Sequence, residues 1–362
     1  MGMILAEPFV RQRYAELGNL FTEHRNRYLD MRELTPHVRY TPEVIDHGGK
    51  RHTVMWIDEE GFIKPSKRHE NPDFNMVFLG GSTTECAQVE EENRFPYLVG
   101  RKLEVVLDKK INSYNAGRSA NNSMHANLTM LAKIIPLKPK FALIMHNVND
   151  ISIVLQNGSY WNKETDDRRL LKELPPIVDT ENIGFTLRSV KNTLFPYGWN
   201  FISSKINLGK GQVQNSPSSG MNVLEETDIP ITATDISIDT DKAKEEFINS
   251  LKVFISLSRI YGIEPVLITQ GHLRLIDKQN AQALLKNKQN LALISYFNQS
   301  IIELGQQENV LVIDVDKAVR ENSNRISFFY DTVHYRDEGS RFVAEVISKA
   351  LLENNYGVSR LK

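Results

Sequence analysis

From residue 74 onward the chain alternates short, β-rich apolar runs with longer segments of helical periodicity, and this alternation leaves few folds open. The runs are NMVFLG, INSYNAG, KFALIMHNVND, EPVLITQ and NVLVIDV. Between and after them, apolar residues three and four apart predict helices near residues 95–109, 121–135, 242–261, 289–306 and 338–353. Apolar strands separated by helices build a parallel sheet, because each crossover must carry the chain back over the sheet and bury its own apolar stripe there. The expected fold is therefore α/β: a three-layer α/β/α sandwich around a five-stranded parallel sheet.

Two regions lie outside this pattern. Residues 8–30 place Val10, Tyr14, Leu17, Leu20, Phe21 and Tyr28 at mostly helical spacing among charges, which predicts an amphipathic helix. Residues 36–65 carry short alternating stretches around DHGGK, a turn-rich segment that could close a small hairpin. The organisation read from this is an N-terminal extension over 1–70 and a main domain over 71–355. An insertion of about residues 156–240, including the loop-like KGQVQNSPSSG, is expected to act as a lid or substrate-binding element.

The bulk chemistry excludes several functions. A formal net charge of -1 over 362 residues gives no electrostatic pull toward nucleic acid, so no nucleic-acid partner is expected. Cys86 is the single cysteine, which rules out an intrachain disulfide and a cysteine-rich metal site and suits a small buried hydrophobe. No apolar run approaches a membrane span, the opening MGMILAEPFV lacks the pattern of a signal peptide, and Ala6 breaks a myristoylation signal at Gly2. The chain reads as soluble and by default cytoplasmic, with a cell-envelope location following if an anchor once preceded it.

In a parallel sheet, ligands bind at the carboxyl ends of the strands, so the polar residues there belong together. After the first run stands Gly80-Gly81-Ser82; after the second, Asn115-Ala116-Gly117; after the third, Asn147-Val148-Asn149-Asp150. Past the fifth run, FFYDTVHYRDEGS supplies Asp331 and His334 just before the last helix. Each of these alone fits an ordinary turn or helix cap. Together, in this order, they contain what acyl transfer needs: a hydroxyl nucleophile, an imidazole base, a carboxylate to orient it and donors for an oxyanion. An α/β-hydrolase elbow fits poorly, since Thr84 stands where Gly-x-Ser-x-Gly requires glycine, and no Gly-Lys-Ser/Thr follows to make a phosphate-binding loop.

The order Gly-x-Ser, Gly, x-x-Asn-Asp and Asp-x-x-His resembles the SGNH (GDSL-type) hydrolases over about residues 56–354. Within them it is most similar to a bacterial branch with an upstream Gly-Phe element, here Gly61-Phe62, before a GGST block; such proteins often act in the cell envelope or on polysaccharides. The resemblance implies Ser82 as nucleophile, Asp331 and His334 as acid and base, and an oxyanion hole from the backbone N–H of Ser82, the N–H of Gly117 and the Asn149 side chain. Two positions depart from the family pattern: Gly81 replaces the usual Asp, and Asn147 replaces the Gly that opens the third block. Asn tolerates left-handed backbone, so the Asn149 geometry is expected to survive.

Arg118, Tyr160 and Trp161 are candidate substrate contacts, Trp199 adds a further aromatic in the insertion, and Gly80 and Gly81 are expected to be small so that an acyl group can approach the backbone. The implied function is a serine esterase cleaving an acyl ester, with an O-acetylated carbohydrate as the favoured instance, through an acyl-enzyme. No metal or other cofactor is expected. An O-acyltransferase using the same triad and a catalytically silent carbohydrate-binding or scaffold domain are the alternatives.

Overall fold

In the structure, a computed structural model, the five apolar runs become five parallel strands. Every residue of Ile111–Asn115 and of Phe141–Met145 is buried, which is why these runs read as continuous apolar stretches and not as alternating ones. The structure describes residues 27–29, 31–46, 49–161, 170–173, 224–226, 240–277 and 281–353.

We label the main elements in chain order: β1 Phe74–Gly80, α1 Phe95–Leu107, β2 Ile111–Asn115, α2 Ser123–Thr129, β3 Phe141–Met145, α3 Val148–Asn157, α4 Thr240–Ile260, β4 Glu264–Ile268, α5 Ala281–Glu308, β5 Leu311–Ile313, α6 Val315–Arg320 and α7 Asp337–Glu353. The sheet order is β5-β4-β3-β1-β2, all parallel, with Met76 opposite Phe141 and Val266 opposite Leu143 and Leu311. Chain order reverses between β1 and β3, where a doubly wound sheet opens a crevice at its carboxyl edge.

Side chains alternate across the sheet. Met76, Phe78, Leu143 and Ile268 join Phe95, Val99, Val343 and Ile347 of α1 and α7 in one core. Val77, Leu79, Ile144 and Leu267 are equally buried and point the other way, under the layer in which α4 packs on α2, α3 and α5. The three-layer expectation is thus met.

Local differences from the sequence reading have physical reasons. The helix α3 was not anticipated; it starts directly at the end of β3, so its first turn reads as a strand-end loop. After α2 the chain continues through a π turn, Met130–Ile134, and a 3₁₀ turn, Ile135–Leu137, where Pro136 lacks the N–H of a regular helix. The expected hairpin is present as Glu43–Asp46 against Gly49–His52, and Arg39–Tyr40 pairs with Met55–Trp56.

The chain divides into two compact units, residues 1–30 with 169–213, and residues 31–168 with 214–362. In the first, Arg27–Leu29 pairs antiparallel with Leu171–Glu173, so the end of the segment read as an amphipathic helix is a strand; the rest of that helix lies outside the described residues. Pairing with a distant segment overrides local periodicity here. In the second unit, Leu224–Glu226 pairs with Leu275–Asp277 just beyond β4. Most of the 156–240 insertion, Trp199 included, lies outside the described residues.

Glu104 ties three pieces of the second unit. Its carboxylate accepts hydrogen bonds from His69 at 2.5 Å, from Arg68, from Arg101 at 2.6 Å and from the Ile111 N–H at 3.2 Å. Burial alone would raise this carboxyl, but the His69, Arg68, Ile111 and Arg101 bonds outweigh it and hold it at about 2. A carboxylate held low stabilises the fold above its unfolded value and loses that contribution as pH falls toward 2. With the arginines partly in solvent, screening leaves about 1–2 kcal/mol. Glu104→Gln is expected to lower stability by that amount at pH 7 in urea titrations, with the difference from wild type shrinking below pH 4.

Candidate active site

The β1 strand ends at Gly80, and the chain turns through Gly81 into a four-residue helical turn, Ser82–Glu85. Cys86 closes it in a left-handed conformation (φ 55°), its N–H donating to the Ser82 carbonyl at 3.1 Å. Burial pushes the Cys86 thiol up to about 12, so it stays an inert, protonated packing group.

This turn presents Ser82 to the loop ahead of α7. The Ser82 hydroxyl lies 2.7 Å from His334 Nε2, and His334 Nδ1 lies 2.6 Å from Asp331 Oδ2. The other oxygen of Asp331 accepts the N–H groups of Val333 and His334, both at 2.8 Å. The carboxylate therefore folds its own loop into an Asx turn while orienting the imidazole, which is what the three-residue spacing serves. Burial works to raise the Asp331 carboxyl, but the bond and charge of His334 and the two N–H donors prevail and keep it below its ordinary value, hence ionised.

Asn149 sits in the first turn of α3. Its amide donates to the Asn121 carbonyl at 2.8 Å, and a Cβ on Gly81 would fall 2.5 Å from its Nδ2. A Cβ on Gly81 would thus press on the Asn149 amide where it lies against the serine turn, a packing reason for glycine that stands beside the expected approach of an acyl group.

The Gly117 N–H is engaged differently from expectation: it donates to Asn115 Oδ1 at 2.9 Å, while Asn115 Nδ2 donates to the Thr84 carbonyl at 2.9 Å. Gly117 packs on the serine turn itself, since a Cβ there would lie 2.4 Å from the Glu85 nitrogen. In this conformation its N–H serves the loop.

Asn147 also differs from expectation. Its φ of -167° is extended backbone, open to any residue, so left-handed tolerance is not what the position needs. The side chain is buried and donates to Asn298 Oδ1 at 2.7 Å and to the Ile294 carbonyl at 2.9 Å, pinning the start of α3 to α5.

The strand-end reading passed over the end of β4, where Gln270 stands. Gln270 Nε2 donates to Thr83 Oγ1 at 2.7 Å, and its Oε1 accepts the Val148 N–H at 3.2 Å. The same rule that selected the other strand ends would have found it.

Among the candidate substrate contacts, Arg118 lies 3.7 Å from the buried Glu85, beside the serine turn. Tyr160 is buried, with its hydroxyl donating to Asp150 Oδ1 at 2.5 Å, and Trp161 is exposed. Among the described residues no hydrogen bond joins Tyr160 or Trp161 to Ser82, Asp331 or His334. No cluster of three or more His, Cys, Asp or Glu suited to a metal ion occurs among the described residues, and no helix there is long and apolar enough to cross a membrane.

No protein-family model matches this chain, and no curated protein matches it. Solved structures do. An acetylxylan esterase, Axe2, from Geobacillus stearothermophilus aligns at 13% identity over 77% of this chain and 94% of that one, with a TM-score of 0.42. The acetyl xylan esterase AlAXEase aligns at 16% identity over 76% and 99%, TM-score 0.44. A GDSL-like lipase from Parabacteroides merdae ATCC 43184 aligns at 16% identity over 82% and 100%, TM-score 0.43.

Beneath Asn149, Asp150 is wholly buried; one oxygen accepts the Ser123 N–H at 2.9 Å, the Ser123 hydroxyl at 2.6 Å and Tyr160. Burial pushes its carboxyl up to about 6 and pushes His146, 3.7 Å from its other oxygen, down to about 3. A carboxyl raised by folding leaves stability full below its unfolded value of about 4 and costs progressively more as pH rises from there to about 6, where the cost levels off at no more than about 3 kcal/mol. Asp150→Asn keeps the acceptor toward Ser123 and Tyr160 without the charge. Thermal melts are expected to show it more stable than wild type at pH 8, with the advantage shrinking below about pH 6 and gone by about pH 4.

Proposed function

We propose that the protein is a serine esterase that cleaves an acyl ester through a covalent acyl-enzyme. The observation that carries this reading is the unbroken hydrogen-bonded chain from the Ser82 hydroxyl through both ring nitrogens of His334 to Asp331, with links of 2.7 Å and 2.6 Å. A serine hydroxyl is a weak nucleophile unless a base takes its proton as it attacks, and an imidazole whose second nitrogen is held by a carboxylate is oriented for that transfer.

In the proposed cycle Ser82 Oγ attacks the ester carbonyl carbon while its proton passes to His334 Nε2, and Asp331 stabilises the imidazolium. The oxyanion is met by the Ser82 N–H and by the hydrogen of the Asn149 amide not used on Asn121. The bond from the acyl carbon to the leaving alkoxide breaks as Nε2 returns the proton to that oxygen. Water then adds to the acyl carbon with His334 again as base, and the acid leaves with Ser82 restored. The resemblance of Gly61-Phe62 and the GGST block to a branch that often acts on polysaccharides supports an O-acetylated carbohydrate as the substrate class.

An ester panel running from p-nitrophenyl acetate through longer acyl chains to acetylated sugars tests the reading. Ser82→Ala is expected to abolish hydrolysis, and Asn149→Ala to lower kcat by about 10²- to 10³-fold, the usual cost of one oxyanion donor. Near-wild-type hydrolysis by Ser82→Ala overturns the proposal.

A further inference from the structure

Three separate loops must hold their functional side chains in register across the sheet edge, and one buried amide bonds two of them directly and reaches the third through Thr83. Gln270 donates to the hydroxyl of Thr83, the residue after Ser82, and accepts the N–H of Val148, the residue before Asn149. Thr83 in turn donates its hydroxyl hydrogen to the carbonyl of Val333, the residue before His334, at 3.4 Å.

Gln270 is itself clamped: Asn298 accepts its N–H at 3.1 Å and donates to its carbonyl at 2.9 Å, and the same Asn298 oxygen accepts from Asn147. Gln270, Thr83, Asn147 and Asn298 are all at most 7% exposed, so solvent offers these groups no ready replacement partners.

The donors and acceptors close in one direction only. Turning the Gln270 amide over would set its NH₂ against the Val148 N–H. Its oxygen would then take the Thr83 hydrogen that now reaches Val333.

We infer that Gln270 is a positioning residue for the proposed ester cleavage, holding the Ser82, Asn149 and His334 loops at their working separations through Thr83 and Val148. It touches none of the reacting atoms. Its effect is on whether nucleophile, base and oxyanion donor meet one carbonyl at once, and displacement of a reacting group by about 1 Å costs up to about 10²-fold in rate. This inference rests on the serine-esterase reading.

The test measures p-nitrophenyl acetate kinetics and the rate of fluorophosphonate labelling of Ser82 for wild type, Gln270→Ala, the near-isosteric Gln270→Glu, Thr83→Val and the double variant Thr83→Val/Gln270→Ala. Gln270→Glu keeps the volume but offers Thr83 only an acceptor, so the Thr83 hydrogen is drawn off Val333. It therefore reports on register even where Gln270→Ala fails to fold. Folded Gln270 variants are expected to lose about 10- to 100-fold in kcat and in labelling rate with KM changed less than threefold. The double variant is expected to be no worse than about threefold below the poorer single one, because both remove the same tie.

Labelling and kcat of a folded Gln270 variant within twofold of wild type, a loss confined to KM, or losses that multiply in the double variant each overturn the positioning role. Wild type that is neither labelled at Ser82 nor active on any ester overturns the esterase reading, and the inference with it.

Discussion

A parallel sheet sends all of its strand ends to the same edge, and that edge is where backbone groups leave the ladder without partners. In this protein the strand ends at Gly80, Asn115, Met145 and Ile268 run into loops whose polar groups are largely buried, so each must find a partner from a neighbouring loop. The hydrogen bonds among Asn115, Thr84, Gly117, Thr83, Gln270, Val148, Asn298 and Asn147 are the solution. Ser82 and Asn149 sit on that layer, each one residue away from a member of it, and the His334 loop is tied to it where Thr83 donates to the Val333 carbonyl. Rigidity at the edge is therefore a by-product of satisfying buried polar groups, and the proposed chemistry depends on it.

Charge is distributed in keeping with this. Asp331, which faces the imidazole, is held ionised by His334 and two N–H donors against the pull of burial, whereas Asp150, one residue beyond Asn149, is pushed toward its neutral form by burial. Two carboxyls are thus set in opposite directions by their surroundings, one to support a positive imidazolium and one to anchor the helix turn that carries Asn149.

Much of the site was legible in the chain because strand ends are marked by where apolar runs stop. Ser82, Asn149, Asp331 and His334 were all selected that way, and the structure brings Ser82, His334 and Asp331 into one hydrogen-bonded line. The same rule applied at the end of EPVLITQ would have found Gln270. What it could not supply is which way each donor points. Gly117 reads from the chain as an oxyanion donor, and only the fold shows that its N–H meets Asn115 in this conformation. The departure at Asn147 likewise acquires its reason from Asn298, a residue 151 positions away.

The sequence by itself determined the α/β alternation, the five-strand count, the chain order of the polar strand ends and the three-residue spacing that lets one loop carry both Asp331 and His334. These follow from local periodicity and short-range geometry, which a linear pattern records. The tertiary structure alone decided the pairing of Arg27–Leu29 with Leu171–Glu173, the start of α3 directly at a strand end, and the single direction in which the buried amides close. Those depend on contacts between residues far apart in the chain, where partner and orientation are chosen by burial and by the need to leave no polar group unpaired.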